Sequence, residues 1–131
     1  MRCTTHQIIT MKLRIKGNSV RLRLSKPEVE QLSYDGTVTE QIHFANADFI
    51  YSIKKSFDEN NIRAEYHNNQ LTVYVPANLL NGWPGNNVIS LDNRLADGSL
   101  SEVYVLVEKD FKCIDDSSED QSDNYENPKT C

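Results

Sequence analysis

A chain of 131 residues with 38% hydrophobic side chains is long enough for one domain with its own core. Its mean hydropathy is -0.58, and it holds no run near the ~18 consecutive apolar residues of a membrane span. The net charge of -5 is confined to the C-terminal end, where Asp115, Asp116, Glu119, Asp120, Asp123 and Glu126 face the single base Lys129. Residues 1–114 carry equal numbers of acids and bases, so only local charge can mark a partner there.

Residues 1–10 lack the apolar stretch and small-residue cleavage site of a secretory signal. Patterning starts at Met11, so residues 1–10 are expected to be a disordered extension or the product of an alternative start. Residues 11–112 are expected to form a single β domain. Residues 113–131, built from Asp, Ser, Glu, Asn and Pro, bury too little to fold and are expected to be a disordered acidic tail. Cys3, Cys113 and Cys131 match no metal-ligand spacing and leave an odd thiol. That usage predicts a reduced, cytoplasmic protein.

Met11 to Lys16 alternates apolar and basic, Gly17-Asn18 breaks the run, and Ser19 to Leu24 alternates again. A two-residue Gly-Asn loop predicts a hairpin pairing Lys16 with Ser19, Ile15 with Val20, Arg14 with Arg21, Leu13 with Leu22 and Lys12 with Arg23. Every apolar residue then lies on one face and every base on the other. Ser25, Pro27 and Glu28 have the spacing of a capping box with proline in the first turn, which predicts a short helix near 26–33, stopped by Asp35-Gly36. Val29 and Leu32 give it an apolar side.

Strands follow over 37–44 and 48–57, then over 62–67 and 70–75 around Asn68-Asn69, a pair that tolerates left-handed φ. The third hairpin pairs Tyr66 with Leu71 and Ala64 with Val73 inside, and Arg63 with Tyr74 outside. Pro76 ends the strand. Residues 77–81 make at most a helical turn, and Trp83, in a Gly-Trp-Pro-Gly loop, is placed to plug the core. Strands over 87–95 and 100–111 join around Asp97-Gly98. The last is apolar on both sides, which predicts a central position. The fold class is mainly β: antiparallel hairpins in an eight-stranded barrel or two-sheet sandwich, with one short helix after the second strand.

The candidate anion-binding residues are Lys12, Arg14, Lys16, Arg21 and Arg23. Directly opposed like charges cost a few tenths to about 1 kcal/mol per pair, so something must offset Arg14 against Arg21 and Lys12 against Arg23. Three sources can do so: carboxylates of a neighbouring strand (Glu102, Glu108 and Asp110, with Glu40 as another), an external anion suited to guanidinium forks, or the acidic tail. Nucleic acid is not the expected partner, because the body is neutral and no aromatic residues interleave the bases; Tyr51, Tyr74 and Tyr104 are the rings to locate. The tail has no calcium-loop spacing, His43 and His67 lie on separate strands, and no metal site or cofactor is expected. No nucleophile motif or phosphate-cradling glycine loop is present.

Residues 11–33, with the run KLRIKGNSVRLRLSKPEVEQL, and residues 106–129, with LVEKDFKC leading into an acidic DNYxNP segment, resemble the two ends of a small uncharacterised bacterial family, a domain of unknown function. The resemblance covers nearly all of residues 11–129 and implies Met11 as the start, with no activity, ligand or catalytic residue attached. The expected function is therefore a non-enzymatic binding module with a basic hairpin face. The alternative is a metal-dependent hydrolase like the triphosphate tunnel enzymes, with Arg14, Arg21 and Arg23 on phosphates and Glu108 or Glu102 on metal. Its first strand, however, lacks that family's Glu-x-Glu-x-Lys motif.

Overall fold

Two kinds of tight turn set the hairpin registers. Gly17 takes φ +55° at the first position of its two-residue loop, as a glycine-led hairpin turn requires. Asn68 and Asn69 are both left-handed, at φ 51° and 63°, the pair of conformations that a type I′ turn demands. The computed structural model describes residues 11–110; the expected extension and acidic tail lie outside them, as does Cys113.

Eight strands result: β1 (Lys12–Lys16), β2 (Ser19–Leu24), β3 (Thr37–His43), β4 (Asp48–Ser56), β5 (Arg63–His67), β6 (Gln70–Pro76), β7 (Ser90–Asp92) and β8 (Tyr104–Lys109). The first hairpin has the predicted register, Lys12 opposite Arg23 through Lys16 opposite Ser19. The third does too, with Tyr66 opposite Leu71 and Arg63 opposite Tyr74.

The strands make two four-stranded sheets, β1-β2-β8-β7 and β3-β4-β6-β5, so the barrel alternative fails. Each sheet consists of two hairpins laid side by side. In every hairpin the first strand is the outer one, and the inner strands pair in parallel, β2 with β8 and β4 with β6. The sheets are therefore mixed rather than purely antiparallel. Hairpin turns dictate pairing only inside each hairpin; the parallel contacts arise from docking segments distant in the chain. β8 occupies the central position that its two apolar sides predict. It is shorter than the sequence suggests, as is β7.

Both sheets turn their apolar sides to one core, which includes Leu22, Leu24, Ile53, Val73, Val75, Val105 and Val107, all fully buried. This is sandwich packing. Two helices are present where one was expected: α1 (Lys26–Asp35) and the single turn α2 (Ala77–Leu80). In α1 the Glu28 carboxylate accepts from the Ser25 N–H at 2.9 Å and the Ser25 hydroxyl at 3.0 Å, completing the predicted cap. Val29 and Leu32 are buried, and Gly36, at φ 93°, caps the helix at the predicted Asp35-Gly36 stop, so that α1 runs two residues past the expected span of 26–33. Trp83 opens a 3-10 turn (Trp83–Gly85), is fully buried, and donates its indole N–H to the Val88 carbonyl at 2.8 Å. It plugs the core as expected.

The strand ends Leu24, Ser56 and Lys109 lie at the same end as α1, because Lys55 N–H bonds the Gly36 carbonyl and Asp110 N–H bonds that of Leu24. The hairpin loops at 17–18 and 68–69 lie at the opposite end. There the inward-facing Ile15 and Tyr66 remain 62% and 65% exposed, so the core does not reach the loops.

Candidate functional site

Alternation along β1, β2 and β8 sends Lys12, Arg14, Lys16, Arg21, Arg23 and Glu108 to the outer face of the first sheet. Parallel pairing sets Arg23 beside Glu108 and Arg21 beside Leu106. All five predicted bases therefore share one surface, with Arg14 opposite Arg21 and Lys12 opposite Arg23.

Carboxylates of the neighbouring strand meet part of this charge. Arg23 reaches Glu108 Oε2 through both Nε and Nη2 at 3.0 Å, and Arg21 Nε lies 3.7 Å from the same oxygen. One acid thus serves two guanidinium groups and lowers the cost of setting them side by side. Glu108 is only 16% exposed, so its pairing is less screened than a surface contact. Lys12 Nζ pairs with Asp110 Oδ2 at 3.0 Å. Glu102 and Glu40 do not contribute as expected. Glu102 is exposed and precedes β8, while Glu40 is registered with Tyr51 on the inner side of the second sheet.

Arg14 and Lys16 make no ion pair among the described residues. Beside Arg14 an open depression of about 160 Å³, lined by Lys12, Leu13, Arg14, Arg21 and Arg23, runs over the β1 edge. β1 is an edge strand, and its bases also discourage pairing with another chain, a structural task independent of any ligand.

The rings fall in three different places. Tyr51 is buried and donates its hydroxyl to the Met11 carbonyl at 2.8 Å. Tyr74 lies on the outer face of the second sheet with the Arg63 guanidinium 4.8 Å over its ring. Only Tyr104 shares the basic face. It is held by Arg94, 4.5 Å above the ring, and by Asp92, which accepts its hydroxyl at 3.1 Å. Parallel docking of β8 put it there, a contact that local pattern cannot show.

The closed barrel that a tunnel-type site would need does not form: the five bases stand on the outward face of an open sheet. No group of three or more candidate metal ligands occurs among the described residues. His43 is exposed and bonded to Asp48 at 2.7 Å. No helix among the described residues is long and apolar enough to cross a membrane.

Fold and face together define a small two-sheet β domain with a charged outer surface. The chain belongs to the Family of unknown function (DUF7009), whose model matches residues 11–129. No curated protein and no solved structure matched it.

Proposed function

We propose that the protein is a non-catalytic binding module whose β1–β2 face receives an anionic group. The observation that carries this reading is the imbalance on one surface. Lys12, Arg14, Lys16, Arg21 and Arg23 share two carboxylates, Glu108 and Asp110, and the surplus borders the depression beside Arg14. Guanidinium groups on rigid strands suit phosphate, sulfate or carboxylate oxygens.

The chain's own acidic segment competes for the same face. Asp110, already on Lys12, is the last described residue, and six carboxylates follow within residues 115–126. At ~3.3 Å per extended residue that segment has the reach to cover the bases. Individual exposed pairs contribute only ~0.2–1 kcal/mol, but tethering raises their effective concentration.

The test is polyanion binding by the full chain and by Arg14→Glu/Lys16→Glu, two exposed positions outside the ion pairs. Heparin and linear polyphosphate affinity should fall about tenfold at low salt in the double variant, and the difference should shrink as salt rises. Equal binding by both proteins would overturn the assignment.

A further inference from the structure

An open groove lies away from the basic face, at the helical end of the sandwich. It has a volume of about 340 Å³, and its lining includes Ser33 and Tyr34 of α1, Lys55 at the end of β4, Phe57, Asn78 and Asn81. That volume lies at the lower end of the ~300–1,000 Å³ typical of small-molecule sites.

Its chemistry is selective. Tyr34 is 76% and Phe57 82% exposed, a poor use of two rings unless something covers them. A single exposed aromatic needs no explanation, but these two border the same groove. Lys55 donates to the Ser33 carbonyl at 2.7 Å and sits 5.6 Å from the Phe57 ring centre. This contact offsets the carbonyl end of α1, and an ammonium has two further donors. The lining holds no carboxylate.

We propose that this groove binds a small organic anion bearing a planar ring, the ring against Tyr34 and Phe57 and the anionic oxygens at Lys55 and the amides of Asn78 and Asn81. Neither the family membership nor the basic face implies such a site, and the proposal stands independently of the anion-binding face.

Calorimetric titration of the full chain with four probes tests it: phenyl phosphate, benzoate, benzyl alcohol and inorganic phosphate. One or both ring-bearing anions should bind with Kd of ~1 mM, and the two single-feature probes at least about tenfold more weakly. Comparing phenyl phosphate with benzoate decides which anionic group is preferred. Tyr34→Ser and Phe57→Ser, at exposed positions that leave the core intact, should each weaken binding about 5-fold. Lys55→Gln should abolish the preference of the better-bound ring-bearing anion over benzyl alcohol, whereas Arg14→Glu should change nothing. Ring-bearing anions binding no better than inorganic phosphate would overturn the proposal. So would binding that is insensitive to Tyr34 and Phe57, or lost in Arg14→Glu, which would assign it to the basic face instead.

Discussion

Arg23 and Glu108 stand 85 positions apart in the chain, yet the parallel pairing of β2 with β8 brings Nε within 3.0 Å of Oε2. The same oxygen lies 3.7 Å from Arg21 Nε. Glu108 therefore joins the first hairpin to the last strand and governs how much positive charge the outer face presents.

Glu108→Gln should uncouple these roles. Losing a partly buried carboxylate shared by two guanidinium groups should cost about 1–3 kcal/mol in urea unfolding. Heparin affinity at low salt should rise in the same variant, because Arg21 and Arg23 are no longer neutralised. A stability loss with unchanged or weaker heparin binding would argue against the outer face as the binding surface.

Deleting residues 115–131 should strengthen heparin binding at low salt, with the gain fading as ionic strength rises. Part of that gain comes from removing five net negative charges. A variant with the same segment scrambled, and Tyr125→Ser, separates bulk charge from a specific contact. Scramble and native segment behaving alike would leave only bulk charge, and no change on deletion would refute competition by the tail.

The pH dependence of stability should carry a signature of Glu28. Burial raises its carboxyl above the ordinary value of 4.5, and the negative charge of Glu40 adds to that, while hydrogen bonds from Ser25 act in the opposite direction. The folded state then holds the proton more tightly than the unfolded chain. Stability contributed by that proton is complete below the unfolded pKa and is lost as pH climbs through the raised folded value. Glu28→Gln keeps a side chain compatible with the capping box and cannot ionise. Its melting temperature should gain on the wild type between pH 4 and pH 7; parallel melting curves across this range would refute the assignment.

Trp83→Phe should destabilise the domain by about 2 kcal/mol, combining lost volume with an unpaired Val88 carbonyl. Chemical denaturation measures this directly. A loss below half a kcal/mol, with no change in the slope of the transition, would mean that Trp83 is not the plug its burial implies.

Residues 12–24 determine their own hairpin, because a Gly-Asn loop and strict alternation agree on one register. Ser25, Pro27 and Glu28 likewise determine the start of α1, and Asn68-Asn69 the third hairpin, since these signals act between residues close in the chain. The five bases and their common face were legible for the same reason. Tertiary structure alone decided that β2 lies parallel to β8 and β4 to β6, giving two open sheets rather than a barrel. It also decided that Glu108 and Asp110, but not Glu102 or Glu40, meet the bases, and that Ser33, Tyr34, Lys55 and Phe57 line one open groove. Turn chemistry and side-chain alternation are local, whereas the order of hairpins within a sheet depends on the packing of a shared core, and that packing brings together residues whose separation in sequence carries no periodic signal.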